Sequence, residues 1–326
     1  MCTIVAKKYK DKWGLYKIRD RNYDPDYKLH VQEQNGLEIL YLEDQINKWS
    51  ECLNSEGLMM VSATLDNHFD SENNNIKDPK IQKKKDERNE IIKNQINKIM
   101  NNKNIEKAKD LIIKEKFTGT TFLSDTKKLY VIEIYMNNEA KRKVLEKEAQ
   151  KRGIQIDDFT HVEQELISLE KLKDQDYDVG VKEIKKDDLV VRTNHGIILD
   201  DAGYQPPDKG YESSEERRKI TIKALKKEMH PIDVMYTLRS LKGINPKKQN
   251  NPIRVKERKP NGKYKYYSTS IVGLFGTTML FIPLQSTLDD TEEKKIRLKR
   301  ERKVDFVILP NKPLFENFKK YIQKRK

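Results

Sequence analysis

Cys2 stands directly behind Met1, and a small second residue favours removal of that methionine, leaving a cysteine that carries both a thiol and a free α-amine. An unperturbed α-amine titrates at about 7.7 to 8.0 and a thiol at about 8.5, so one residue can supply a nucleophile and the base that activates it near neutral pH. This is the chemistry of amine-activated acyl transfer: sulfur attacks a carbonyl and a thioester forms. The only other cysteine is Cys52, so no disulfide framework claims the sulfur. A cysteine here also suits a buried strand, where it acts as a small hydrophobe. Five histidines (His30, His68, His161, His195, His230) are scattered without ligand spacing, and no glycine-rich phosphate loop occurs. Neither a metal nor a cofactor is expected.

The elements that must position Cys2 begin with Cys2-Thr3-Ile4-Val5-Ala6 and Leu15-Tyr16-Lys17-Ile18, which read as a β-hairpin around the turn Lys10-Asp11-Lys12-Trp13-Gly14 and bring residues 20–24 back towards Cys2. Leu37-Glu38-Ile39-Leu40-Tyr41 and Leu58-Met59-Met60-Val61-Ser62-Ala63 form further strands, separated by a helix-like 45–53 and the turn Asn54-Ser55-Glu56-Gly57. In the helical and polar segment 66–112, Ile91, Ile92, Ile96, Ile99 and Met100, continued by Ile105, Ala108, Leu111 and Ile112, predict two helices on a sheet face. Thr120 to Leu123 and Leu129 to Ile134 flank a turn and predict another hairpin. The charged stretch 138–152, in a segment reaching 172, lacks an apolar stripe and reads as an exposed insertion. Leu189-Val190-Val191-Arg192 is a short strand, 213–229 a helix with Ser214 at its cap, and 266–272, 278–283 and 304–309 late strands. Two groups of strands with helices between them suit an α+β fold of stacked, mainly antiparallel sheets under helical layers, in one domain over 2–326.

The composition is 36% hydrophobic and 36% charged, with net charge +14. No run approaches the roughly 18 apolar residues of a membrane span, and the opening twelve residues lack a secretory apolar core, so a soluble cytoplasmic protein with no membrane partner is expected. Basic charge attracts nucleic acid, but here lysines are interleaved with acidic residues, as in Lys185-Lys186-Asp187-Asp188, without a recognised binding motif. That disfavours a nucleic-acid partner.

Four further elements occur in order: Arg21-Asn22-Tyr23-Asp24, Asn54-Ser55-Glu56-Gly57-Leu58, Arg192-Thr193-Asn194-His195-Gly196 and Ser213-Ser214-Glu215-Glu216-Arg217. With Cys2 they resemble the choloylglycine hydrolase, penicillin V acylase and isopenicillin-N acyltransferase group of N-terminal-nucleophile enzymes. The resemblance, over about residues 1–285, implies a four-layer αββα sandwich and cleavage of a linear amide C–N bond by Cys2, or acyl transfer to an amine. By the same resemblance Arg21 and Asp24 contact the cysteine, the backbone amide near Thr64 and the side chain of Asn194 form the oxyanion hole, and Arg217 reaches back to the site. Arg19-Asp20 lies nearer the expected distance from Cys2 but lacks the asparagine and the three-residue step, so Asp20 is the alternative to Asp24.

The expected partner is a small-molecule or peptide amide, and a homo-oligomer is compatible with the sequence. The alternative function is a basic binding protein that keeps the fold without catalysis.

Overall fold

Alternation with period two along the first residues sends Ile4, Ala6, Trp13 and Leu15 to one side of the opening hairpin and Val5, Tyr16 and Ile18 to the other. The computed structural model describes residues 2–21, 27–45, 49–65, 79–159, 161–207, 209–241, 256–258, 264–266, 268–284 and 305–308. In it β1 (Cys2–Tyr9) and β2 (Lys12–Arg21) are joined by Lys10 and Asp11, both left-handed at φ 47° and 59°. Two left-handed residues twist the chain as the flanking strands require. Gly14, expected in the turn, lies inside β2 instead.

Six strands form the first sheet, in the order β10 (Leu189–Arg192), β1, β2, β13 (Ser268–Phe275), β14 (Thr278–Leu284) and β15 (Asp305–Ile308), every pair antiparallel. The second sheet is a seven-stranded antiparallel meander: β3 (Tyr27–Gln34), β4 (Leu37–Asp44), β5 (Ser50–Asn54), β6 (Met59–Ala63), β7 (Gly119–Ser124), β8 (Leu129–Met136) and β9 (Tyr177–Glu183). β11 (Lys256–Arg258) and β12 (Tyr264–Tyr266) pair as a separate ribbon. The helical expectation for 45–53 is corrected over Ser50–Asn54, a fully buried strand. Its inward Glu51 is masked by buried cations rather than by water, which hides the apolar period that a strand normally displays. The edge strands β3 and β9 were not anticipated.

Three apolar clusters define the layers. Between the sheets lie Ile4, Ala6, Trp13, Leu15, Leu40, Leu53, Val61, Phe122, Val131, Val272 and Met279. The outer face of the seven-stranded sheet is covered by α1 (Pro79–Met100) and α2 (Ile105–Lys114) through Ile92, Ile96, Ile99, Ile105, Ala108 and Ile112, as the sequence indicated. α5 (Lys209–Ala224) and α6 (Pro231–Ser240) cover the six-stranded sheet, through Leu225 just past the end of α5 and through Ile232, Met235 and Leu238 of α6. The order of layers is therefore helix, sheet, sheet, helix, an α+β sandwich.

The charged segment is less detached than its composition suggests. α3 (Asn138–Arg152) buries Leu145 and Ala149 against Phe159 and Ile167, the last in α4 (His161–Lys171). Ion pairs fasten α4 to α1, Lys84 to Glu163 at 2.5 Å and Arg88 to Glu165 at 3.0 Å. Among the described residues no helix is long and apolar enough to cross a membrane.

The hairpin turn yields the first test. Replacing Lys10 and Asp11 by Asn and Gly puts residues tolerant of positive φ where the backbone demands it, and stability should rise by about 1 kcal/mol. Urea unfolding should give a higher midpoint at unchanged slope.

Candidate functional site

Backbone pairing alone sets the neighbours of Cys2. The β1–β2 register places Arg19 directly opposite it. On the other flank β10 runs antiparallel to β1 with Ile4 opposite Arg192, and continuing that count by two residues brings Asn194 beside Cys2. A strand start is thus held between a cation and a carboxamide.

The side chain of Asn194 makes this a site. Its Oδ1 accepts from the Cys2 backbone nitrogen at 3.1 Å and from Arg217 Nη2 at 3.1 Å, while its Nδ2 donates to the Thr64 carbonyl at 2.9 Å. This division of donors and acceptors fixes which end of the amide is oxygen. One Nδ2 hydrogen is left over, with no partner among the described residues. Arg217, with no exposed surface, also donates to the Cys2 carbonyl at 3.0 Å, the Thr3 hydroxyl at 3.3 Å and the Ser213 carbonyl at 3.2 Å. It thereby anchors the strand that Cys2 opens.

Towards the other side of Cys2 the space between the sheets is ionic. Lys17 and Arg19 of β2 converge on Glu51 of β5, Lys17 Nζ at 2.7 Å and Arg19 Nη2 at 2.7 Å, with Asp44 at 4.0 Å from Arg19. All four side chains are buried. Burial pushes the Glu51 carboxyl up, but the Arg19 guanidinium and the Lys17 ammonium overcome that and hold it below its ordinary value. Trp49 caps the group, its carbonyl accepting from Arg19 and its ring 5.7 Å from the Lys17 ammonium.

The loop bearing Asn194 is clamped from two directions. Glu133, fully buried on β8, accepts from the backbone nitrogens of Ile197, Ile198 and Leu199 at 2.8 to 3.1 Å and lies 3.5 Å from Arg192. Gly203, at φ 77°, lets the chain return to donate from Tyr204 to the Asn194 carbonyl; an added Cβ would sit 2.4 Å from that carbonyl. His195 is buried, Nδ1 lying 2.8 Å from Ser214 Oγ and Nε2 3.2 Å from Glu215. Burial lowers its pKa to about 4, outweighing Glu215, so the imidazole is neutral at neutral pH.

Of the residues singled out in the sequence, the structure brings Cys2, Thr64, Asn194 and Arg217 together. Arg21 lies in β2 opposite Ser268, two residues past the partner of Cys2, with its side chain outside the described residues. Asp24 lies outside them as well, as does the Asp20 side chain. The register gives the place beside Cys2 to Arg19. Thr64 meets Asn194 through its carbonyl. Asn54, read as part of a turn motif, bonds the nitrogens of Glu56 and Leu58 and the carbonyls of Met100 and Asn102, tying the β5–β6 turn to the end of α1. Ser214, expected as a helix cap, is interior to α5. Glu51 and Glu133 were missed: nothing marks an acidic residue as buried until its cations are placed. Among the described residues no three His, Cys, Asp or Glu side chains gather as a metal site requires. No protein-family model and no curated protein matches the chain.

Two measurements probe this arrangement. Glu51→Gln leaves Lys17 and Arg19 buried without their shared carboxylate, and should cost about 3 to 5 kcal/mol in urea unfolding. His195, with its native pKa below the unfolded value of about 6.5, binds fewer protons folded than unfolded between the two. Its contribution to stability is therefore complete above about pH 6.5 and falls by up to about 3 kcal/mol as pH drops to 4. His195→Asn should flatten that part of the stability profile.

Proposed function

We propose that the chain is an N-terminal-nucleophile amidohydrolase acting on a linear amide C–N bond, with acyl transfer to an amine as a variant of the same chemistry. The observation that carries this reading is the hydrogen bond from the Cys2 nitrogen to Asn194 Oδ1, since it places the atom that would become the α-amine against a carboxamide with a spare donor hydrogen. Support also comes from Arg217, whose buried guanidinium shares the same oxygen. A neighbouring positive charge disfavours an ammonium and keeps a freed amine in its basic form.

In the proposed reaction, Met1 removal exposes the amine. The thiol proton passes to it as Sγ bonds to the carbonyl carbon, and the carbonyl oxygen becomes an oxyanion. The remaining Nδ2 hydrogen of Asn194 and an amide near Thr64 receive that charge, each such donor typically lowering the barrier by about 2.7 to 4 kcal/mol. The ammonium then protonates the leaving nitrogen, the C–N bond breaks and a thioester remains. Water or an acceptor amine attacks the thioester carbon and gives its proton to the α-amine. The sulfur leaves, and an acid or a new amide is released. Arg19 takes the position beside the thiol that the motif reading gave to Arg21, and its charge favours the thiolate.

Intact mass spectrometry after limited iodoacetamide treatment tests the reading. The expected product is a Met1-free chain labelled once, at Cys2, at least ten times faster than at Cys52, whose thiol is fully buried and pushed well up by that burial. Cys2→Ala should abolish the fast label and the release of amine from a panel of amides. A mature chain that keeps Met1, or slow equal labelling of both cysteines, overturns the enzyme and favours a basic binding protein on the same fold.

A further inference from the structure

Helix α5 grips Asn194 twice. One turn carries Arg217, which bonds the side-chain oxygen at 3.1 Å; the preceding turn carries Ser214, whose Oγ accepts the Asn194 backbone N–H at 2.9 Å. Serine in a helix interior usually turns to solvent or back to its own helix. Ser214 has no exposed surface, and its hydroxyl is spent on a distant loop.

With a neutral imidazole, the groups around that hydroxyl fix its acceptor side and leave its own hydrogen two partners. Asn194 N–H can only donate, so Ser214 Oγ accepts there. The Glu215 carboxylate, 3.2 Å from His195 Nε2, requires the imidazole hydrogen on that nitrogen, which leaves Nδ1 as an acceptor 2.8 Å from Ser214 Oγ. Thr193 donates its own hydroxyl hydrogen to the Ser214 carbonyl at 3.0 Å. Thr193 Oγ1 also lies 2.8 Å from Ser214 Oγ, so the serine proton has two acceptors, His195 Nδ1 and Thr193 Oγ1, while a lone pair faces Asn194. Glu215 is itself held by Arg218 and Lys219, at 3.5 and 3.4 Å. The chain Glu215, His195, Ser214 has the members of a hydrolytic triad, but its serine is sealed from any substrate and ends on a backbone amide.

We propose that Ser214 is a positioning residue of the acyl-transfer site: aimed by His195 and Thr193, its hydroxyl sets the backbone of Asn194 so that the carboxamide meets both Cys2 and the developing oxyanion. This rests on the amidohydrolase reading above. A donor that stabilises an oxyanion acts only when held in place, and loss of one lowers rates roughly 100- to 1,000-fold. Loosening its backbone should cost part of that.

Two probes of the same sulfur separate positioning from general support. Acylation of Met1-free Cys2 by p-nitrophenyl acetate passes through a tetrahedral oxyanion, whereas alkylation by iodoacetamide does not. Ser214→Ala should slow acylation roughly 10- to 100-fold and leave alkylation within about threefold. His195→Asn, whose side-chain oxygen can replace Nδ1 as the acceptor, should acylate within about threefold of the unaltered protein. If Ser214→Ala does not fold, Thr193→Val combined with His195→Ala, which removes both acceptors of the serine proton, should slow acylation about tenfold with alkylation unchanged. Acylation at the unaltered rate in Ser214→Ala or in the Thr193→Val, His195→Ala double variant, or equal loss of acylation and alkylation, overturns the proposal alone. Absence of acylation at Cys2 in the unaltered, Met1-free protein overturns the amidohydrolase reading and the proposal with it.

Discussion

A guanidinium with no exposed surface must find an acceptor for nearly every N–H it carries, and Arg217 finds them on β1, on its own helix and on the loop after β10. No one of those segments could move without leaving a buried charge under-bonded. The first residues of the chain are thereby tied to residues some two hundred positions later. Strand termini usually fray; this one is pinned by its backbone carbonyl and nitrogen together.

The same logic runs on the opposite flank with more charges. Lys17, Arg19, Asp44 and Glu51 replace the apolar filling that occupies the rest of the space between the sheets. Such clusters seldom add stability over hydrophobic residues of equal volume, because desolvation offsets the attraction. What they supply is a fixed field. Cys2, opposite Arg19 in the hairpin, lies beside this fixed set of charges.

Much of the layer order was legible in the sequence because it follows from short-range periodicity. Val5, Tyr16 and Ile18 alternate with Ile4, Leu15 and Trp13, and the isoleucines of α1 recur at helical spacing. What failed depended on partners far away. Ser50–Asn54 looked helical because Glu51 interrupts its apolar face, and Glu51 is tolerable only because Lys17 and Arg19 arrive from another sheet. Ser214 resembled a cap because serine is a good one, whereas its oxygen is claimed by Asn194. For the site, motif order selected Asn194 and Arg217, which meet Cys2, while the register puts Arg19 opposite Cys2 and Arg21 two residues on, opposite Ser268. The register is set by the two-residue turn at Lys10 and Asp11, and a motif cannot reveal where a turn will close.

That turn also restricts how the hairpin can change length. Side chains on paired strands switch faces with every one-residue slip, so a single insertion between Tyr9 and Lys12 that shifted the pairing would turn Arg19 away from the sulfur and present Ile18 or Asp20 to it instead. Only gains or losses that preserve parity, or a compensating bulge, would keep a basic side chain opposite Cys2. In related chains the distance between the residues matching Cys2 and Arg19 should therefore vary in steps of two wherever the strands remain regular.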